Sequence, residues 1–244
     1  MTRKLFVCLL LASAAWAQDS RPIVKSGVID SAGNYKLTQN ISGELLITAS
    51  DVTLDLNGYS LNGPGGKLGM GIVIRGARGV KVSGGSISNF AFGVVVDGSS
   101  NVILRDLRIR AQGLTVVAPP PETGIMIAQS SNVVVENNAI SNVGLGIFVR
   151  GGRSYGNRIA NNTVTAGTNG VLGICYNPTP TDPNGPRADV VTGNLVSRFG
   201  TAIQLSDLSV ANVLKGNTLI YFNTAVEFMD QSNVDMENVK VKLP

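Results

Sequence analysis

The sequence of 244 residues contains no histidine. This absence excludes Ser–His–Asp and Cys–His nucleophilic schemes, imidazole general bases and most transition-metal sites. Only two cysteines and one tryptophan occur, and charged residues make up 15% of the chain. Because cysteines are so few, the sequence predicts neither a disulfide framework nor a zinc site with several thiolate ligands. Stability must then come from backbone hydrogen bonds and an apolar core.

The N-terminus has the three parts of a secretory signal. Arg3 and Lys4 form a basic start, and Leu5 to Ala15 form an apolar stretch that is too short to span a bilayer. Ala15-Trp16-Ala17 is a small-x-small cleavage pattern. We therefore predict a signal peptide over residues 1–17, a mature chain that begins at Gln18, and a secreted or periplasmic location.

Removal of this signal changes the charge and the cysteine count. The formal net charge falls from +4 to +2, because 20 basic residues lose Arg3 and Lys4 while all 16 acids remain. Such a balance does not indicate nucleic-acid binding. Cys8 is also removed, and we expect the remaining Cys175 to be a buried apolar residue and not a reactive thiol. No later run is long and apolar enough for a membrane span.

A weak internal repeat runs from about residue 50 to the end of the chain. Its first element is of the type Asn-Val-x-apolar, as in Asn101 to Leu104 and Asn132 to Val135. The last apolar positions of the eight copies are Leu54, Val82, Leu104, Val135, Ile159, Val191, Leu214 and Met236. Their spacings are 28, 22, 31, 24, 32, 23 and 22 residues, so the longer units contain insertions.

Each unit also contains a Gly-apolar-x-apolar segment, such as Gly146-Ile147-Phe148-Val149. Strands this short cannot bury a face alone, but coils stacked roughly 4.8 Å apart pair each strand in parallel with its copies. Alternation then places Ile147 and Val149 inside. The repeat therefore predicts an all-β solenoid of about eight coils over residues 50–244, with three short strands per coil.

Asparagines recur in the turn after the first strand of four units. The spacing places Asn138, Asn162, Asn194 and Asn217 in one column. Stacked amides can hydrogen-bond along the axis, so the column predicts an asparagine ladder. The alternative is that asparagine is simply a frequent turn residue.

These segments resemble the right-handed parallel β-helix superfamily typified by pectate lyases, and most closely its carbohydrate-binding and sugar-hydrolysis repeats. The resemblance covers residues 50–241 and implies a right-handed coil. It says little about activity, because one fold hosts many functions. Residues 18–49 precede the repeat and look like an N-terminal cap with strands of its own. Lys240, Lys242 and Pro244 are expected to protect the other end.

The sequence offers no catalytic motif of this superfamily. Its polygalacturonase branch carries Asn-Thr-Asp, Asp-Asp, Gly-His-Gly and Arg-Ile-Lys elements, and none occurs here; Arg108-Ile109-Arg110 is the nearest approach. Pectate lyases hold calcium in a carboxylate cluster, which cannot be assembled from one column here. We expect no metal or other cofactor, with an isolated calcium site at Asp182 and Asp189 as the lesser alternative.

The outward columns differ in chemistry. Outside the first strands, Arg105 is expected to pair with Glu136 and Lys215 with Glu237, as ion pairs on a solvated face. Outside the third strands, the predicted column is Val73, Val95, Met126, Phe148, Leu172, Gln204 and Glu227. Five adjacent apolar side chains on an outer face need an explanation.

Two interpretations of this apolar stripe remain open. The long loops at residues 110–123 and 175–189, or the N-terminal segment, could cover it; alternatively the loops are walls of a groove and the stripe is its floor. The ligand-binding candidates are Arg75, Asp97, Met126, Phe148, Arg150, Arg153, Tyr155 and Tyr176. Arginine and tyrosine together could hold an acidic sugar.

The sequence therefore favours an exported β-helix protein that binds a polysaccharide or another extended ligand on its third-strand face, with catalysis left open. One alternative is a non-catalytic envelope or surface protein that assembles with itself or a partner through the stripe. Another is a polysaccharide lyase acting on uronic acids, which is favoured over a glycoside hydrolase.

Overall fold

The computed structural model describes residues 20–65, 68–112, 122–168, 170–178, 184–206, 208–228 and 230–242. These residues form 26 strands and no helix. Accordingly, no described segment is a helix long and apolar enough to cross a membrane. The predicted signal peptide, Asp182, Pro244, and residues 113–121 and 179–183 of the two long loops lie outside the described residues.

The first strands in chain order are β1 (Arg21–Ile23), β2 (Gly27–Ile29), β3 (Gly33–Leu37), β4 (Ile41–Ser42), β5 (Leu45–Ile47), β6 (Val52–Asp55), β7 (Ser60–Asn62), β8 (Met70–Arg75), β9 (Lys81–Ser88), β10 (Phe92–Asp97), β11 (Ile103–Arg110), β12 (Thr123–Ala128) and β13 (Val134–Glu136). They continue with β14 (Ala139–Val143), β15 (Leu145–Arg150), β16 (Arg158–Ala160), β17 (Thr163–Ala166), β18 (Leu172–Asn177), β19 (Val190–Thr192), β20 (Leu195–Ser197), β21 (Thr201–Leu205), β22 (Val213–Lys215), β23 (Thr218–Ile220), β24 (Thr224–Phe228), β25 (Val234–Met236) and β26 (Val239–Val241).

Equivalent strands of successive coils pair in parallel, as the repeat predicts. Strands β13, β14 and β15 form one coil, and they pair with β16, β17 and β18 of the following coil. The first and second strands of the coils build a 17-stranded sheet, and the third strands build a nine-stranded sheet. The chain is thus a right-handed parallel β-helix. We number the coils by their strand in the nine-stranded sheet, from coil 1 with β2 to coil 9 with β24.

One continuous aliphatic core fills the interior. In coil 6 the inward side chains of Val135, Ile140, Ile147 and Val149 are buried, and their equivalents in the neighbouring coils are buried as well. Successive coils approach closely where the third strand begins: a Cβ on Gly146 would lie 2.2 Å from the carbonyl oxygen of Gly173. Glycine recurs at this position because a larger side chain would collide with the next coil.

The asparagine ladder is confirmed. The backbone N–H of Asn138 donates to Asn162 Oδ1 (3.0 Å), that of Asn162 to Asn194 Oδ1 (2.9 Å), and that of Asn194 to Asn217 Oδ1 (2.9 Å). Each amide nitrogen donates to the next amide oxygen, and Asn238 adds a fifth rung. The column satisfies buried backbone and side-chain groups together.

The predicted register of the third strand is wrong in coil 7. Sequence spacing placed Leu172 in the outward stripe, but Phe148 pairs with Cys175, and Leu172 pairs with Leu145. The strand therefore begins three residues later than predicted, with Gly173 in the position of Gly146. Cys175 is fully buried, as expected for a small apolar residue.

Both ends of the described chain continue the solenoid. Strands β1 to β5 pair in the same two sheets as later strands, so residues 21–47 form two coils within the segment predicted as a cap. At the other end, Lys240 follows Leu219 in the inward column and forms an ion pair with Asp235, which follows Leu214. This placement agrees with the expected protective role of Lys240.

One of the two predicted outward ion pairs is wrong. Lys215 pairs with Glu237 at 3.7 Å, as predicted. Glu136 instead accepts a hydrogen bond from Arg158 Nη1 at 2.8 Å, while Arg105 lies 3.8 Å from its neighbour Asp106. Arg158 lies in the next coil and reaches Glu136 diagonally across the two strands. The register of the strands alone therefore did not identify the partner of Glu136.

Candidate ligand-binding surface

A shallow depression lies on the outer face of the nine-stranded sheet, at the carboxyl ends of the strands of coils 3 to 6. Its volume is about 290 Å³. It is lined by Met70, Arg75, Val95, Asp97, Met126, Ala128, Gln129 and Arg150. Four of these were predicted from sequence, and the structure brings them together because equivalent strand ends stack in register.

The row at the strand ends carries the charges of the depression. Arg75, Asp97, Ala128 and Arg150 align in successive coils. Each is the last residue of its strand and points outward after two inward aliphatic residues, which anchor the strand in the core. The row therefore projects its side chains from a rigid sheet.

The two arginines of the row are in different electrostatic states. Arg75 Nε lies 3.5 Å from an Asp97 carboxylate oxygen, with the two side chains 56% and 44% exposed. Arg150 instead lies over the ring of Phe148, 5.7 Å from its centroid. Among the described residues no carboxylate is within ion-pair distance of Arg150. Arg150 is thus a positioned cation that can accept an anionic partner.

The apolar stripe is covered at some coils and open at others. Val73, Val95 and Cys175 are 1%, 3% and 0% exposed, although they point outward from the sheet. Met126 and Phe148 keep part of their surface exposed. Within the predicted stripe, the accessible apolar residues of coils 5 and 6 lie next to Arg150.

Two other predicted residues lie on the turn that follows Arg150. The backbone N–H of Arg153 donates to Gln129 Oε1 at 3.1 Å, which ties this turn to the rim of the depression. Tyr155 is 44% exposed and stacks under the guanidinium of Arg187, 5.5 Å from the ring centroid. Both residues border the depression and do not line it.

The predicted placement of Tyr176 on the surface is wrong. Tyr176 pairs with Val149 and Leu205, which are both inward residues, and its side chain is fully buried. The error has the same origin as the register error in coil 7. The residues missed by sequence reasoning are Met70, Ala128 and Gln129. The position of Ala128 and Gln129 at the end of β12 could have indicated them, whereas Met70 begins β8 and carries no such signal.

Asp189, the described member of the alternative calcium site, is fully buried. Its carboxylate oxygens accept hydrogen bonds from the backbone N–H and the amide of Asn157 at 2.7 and 3.1 Å. Burial raises the pKa of Asp189 to about 6, and the bonds from Asn157 lower it in part. Among the described residues no cluster of three carboxylates or thiols could hold a metal ion.

Comparison with known proteins links the chain to one family by sequence. The family model described as "Periplasmic copper-binding protein (NosD)" matches residues 39–238. A search of curated proteins found no significant match.

Solved structures of low sequence identity share the fold. An exopolygalacturonase from Thermotoga maritima aligns with TM-score 0.59 and 14% identity, over 86% of this chain and 54% of the enzyme. The Dettilon tailspike protein aligns with TM-score 0.53 and 14% identity, over 88% and 60%. The tailspike protein of E. coli bacteriophage HK620, solved with a pentasaccharide, aligns with TM-score 0.52 and 11% identity, over 88% and 49%. The chain thus spans less than two thirds of each of these proteins.

The residues that the structure describes do not fit the copper that this family description implies. Copper in proteins is bound by imidazole, thiolate and thioether groups, and the chain has no histidine. The Cys175 thiol is fully buried, and burial raises its pKa, so it stays protonated. The thioether side chains of Met70 and Met126 line the depression, but they share it with the guanidinium groups of Arg75 and Arg150, whose charge opposes a cation.

Proposed function

This chain belongs to the family described as periplasmic copper-binding protein (NosD), and we propose that it is an exported protein that binds an acidic polysaccharide. The proposed contact surface is the depression at the third-strand ends of coils 3 to 6. The observation that carries the proposal is Arg150, a cation held over Phe148 without a carboxylate partner among the described residues.

The shape and lining of the surface support an extended sugar. The depression is open and shallow, which suits a chain that passes across the coils. Met126 in the depression and Phe148 beside Arg150 are partly exposed and offer apolar area to a sugar ring, and Arg150 offers paired donors to a carboxylate. Two of the structural neighbours also support a saccharide ligand, since one is named an exopolygalacturonase and another was solved with a pentasaccharide.

Isothermal titration with oligogalacturonates of increasing length tests the proposal. The wild-type protein should bind them, and their carboxyl-reduced counterparts should bind far more weakly. Arg150→Ala should raise Kd roughly 10- to 100-fold, because a charge-assisted hydrogen bond contributes about 1.5–3 kcal/mol. Asp97→Asn should lower Kd several-fold, because it releases Arg75 from its ion pair.

Arg158→Ala is the matched control, since Arg158 is an exposed arginine on the 17-stranded sheet. It should leave Kd unchanged. Equal loss in the Arg150 and Arg158 variants, or equal binding of charged and reduced oligomers, would contradict the proposal. Absorbance of unsaturated uronates in the same mixtures reports whether bond cleavage accompanies binding.

A further inference from the structure

A second buried ladder precedes the first strands of the last coils, and one of its members differs from the rest. The column contains Asn157, Asp189, Asn212 and Asn233. Backbone N–H groups donate along it from Asn157 to Asp189 Oδ1 (2.7 Å), from Asp189 to Asn212 Oδ1 (3.0 Å) and from Asn212 to Asn233 Oδ1 (3.0 Å). A carboxyl group therefore sits where its neighbours carry amides.

An ionised carboxylate cannot complete this ladder. The side-chain nitrogens of Asn157 and Asn212 each donate to the next member of the column, at 3.1 and 3.0 Å. Ionised Asp189 has no hydrogen to donate to Asn212, so only its backbone N–H joins coil 8 to coil 9 at this point. Protonation supplies one hydrogen and restores the pattern of the amides.

The Tyr176 hydroxyl is the second irregular group. It is fully buried, and among the described residues no group is placed for a full hydrogen bond to it, although it lies near the Asp189 carboxyl. Burial raises its pKa, and the negative charge of Asp189 raises it further, so the two groups face each other inside the core. A buried hydroxyl without a partner costs free energy unless a neighbour can bond to it.

Among the described residues, Tyr176 is the titratable group that shifts the pKa of Asp189. Cys175, which precedes Tyr176 in the sequence, is buried and neutral. The nearest arginine in sequence, Arg187, is directed elsewhere: its guanidinium donates to the Gly152 carbonyl and stacks on Tyr155. The carboxylate is therefore left without a cation among the described residues.

We propose that protonation of Asp189, which lies beside Tyr176, stabilises the contact between coils 7, 8 and 9. We call this pair of residues the latch. With a proton on the carboxyl, Asp189 gains the donor that its ladder position requires, and the core no longer contains an unpaired charge. Without the proton, a charge remains in the core, offset only in part by the two hydrogen bonds from Asn157 and by the Tyr176 hydroxyl. The latch is independent of the function of the outer surface.

The direction of the pH effect follows from the burial of Asp189. The pKa of Asp189 is raised from 3.8 to about 6 in the folded chain. At pH values between these two, Asp189 is protonated in the folded state and ionised in the unfolded state. Stability from this group is therefore fully present below about pH 4, falls as pH rises through this window, and stays low above pH 6.

Asp189→Asn tests the latch, because asparagine is neutral at every pH and matches the other members. At pH 7.5 the unfolding equilibrium constant of the variant should be about 100-fold smaller than that of the wild type, since each pH unit of the window is a factor of ten. At pH 4 the two proteins should differ by only a few-fold. Denaturant unfolding followed by circular dichroism measures both values.

Asp30→Asn makes the same change on an exposed residue and should behave as wild type at both pH values. In a Tyr176→Phe background the pH window should move upward, because the hydroxyl lowers the pKa of Asp189. Hydrogen exchange at pH 7.5 should be slower around Asn212 in Asp189→Asn than in wild type. A pH-independent difference, destabilisation by Asp189→Asn at pH 7.5, or unchanged exchange around Asn212 would overturn the latch.

Discussion

Left-handed backbone conformations recur at fixed points of each coil, and the residue type at those points sets the local strain. Directly before the first strands, Asn101 and Asn132 have φ values of 54° and 53°. In later coils the same position is occupied by Ala188 and Ala211, with φ values of 55° and 56°. Asparagine tolerates this conformation, whereas alanine is strained by about 1–2 kcal/mol.

Ala211→Asn should therefore stabilise the protein. We expect a gain of roughly 0.5–1 kcal/mol, because the side chain is exposed and only the backbone preference changes. Urea unfolding provides the measurement. Ala139→Asn is the control, since Ala139 lies exposed within β14 and is not among the residues with positive φ. Equal gains in both variants would show that backbone strain is not the cause.

The asparagine ladder shows how one side chain stabilises two neighbouring coils. Asn162 accepts from the backbone and the amide of Asn138 and donates to Asn194 and to the Val135 carbonyl. Its loss leaves several buried groups without partners. Asn162→Ala should therefore cost roughly 3 kcal/mol or more, measured as a lower denaturation midpoint.

Asn161→Gly is the matched control for the ladder. Asn161 is exposed and has a φ of 56°, which glycine adopts without strain. Its removal should change stability by less than about 1 kcal/mol. Comparable losses in the two variants would contradict the distinction between the ladder column and its neighbouring turn residues.

Sequence reasoning predicted an element correctly where the repeat pattern matched the chain in only one register. The Asn-Val-x-apolar segments predicted the first strands, and Asn138 and its copies predicted the ladder. It failed in coil 7, where Gly170-Val171-Leu172 and Gly173-Ile174-Cys175 both fit the third-strand pattern. The pairing of Phe148 with Cys175 selects the second, and a Cβ on Gly173 would then lie 2.4 Å from the Ala202 carbonyl oxygen.

The candidate surface was predictable in part for the same reason. Arg75, Asp97 and Arg150 end their strands, and equivalent ends must stack, so sequence spacing alone brings them together. The burial of Val95 was not predictable, because periodicity shows which side of a strand a residue faces but not how much of its side chain is exposed. The second ladder was missed because its earlier coils carry Val80, Val102 and Val133 where later ones carry polar residues.

At the scale of the whole molecule, a parallel β-helix exposes unpaired strands at its ends, where further copies could stack. Among the described residues β1 and β2 pair on one side only, as do β24, β25 and β26. The last coil places Asp235 and Lys240 in the inward columns of Leu214 and Leu219, and the two form an ion pair. Inward charges on an edge strand oppose the addition of another copy, because stacking would bury them.

The double variant Asp235→Leu/Lys240→Leu should therefore associate end to end. The variant extends the two apolar columns to the open edge of the last coil. Because the two ends of the solenoid differ, the contact joins one end of a copy to the other end of the next copy, and the copies do not form a closed ring. Light scattering coupled to size exclusion should show masses that grow with concentration. Val239→Leu/Val241→Leu changes outward residues of the same edge strand and should stay at the wild-type mass, because it leaves the ion pair in place. A double variant of unchanged mass at every concentration would mean that the inward charges do not protect this end.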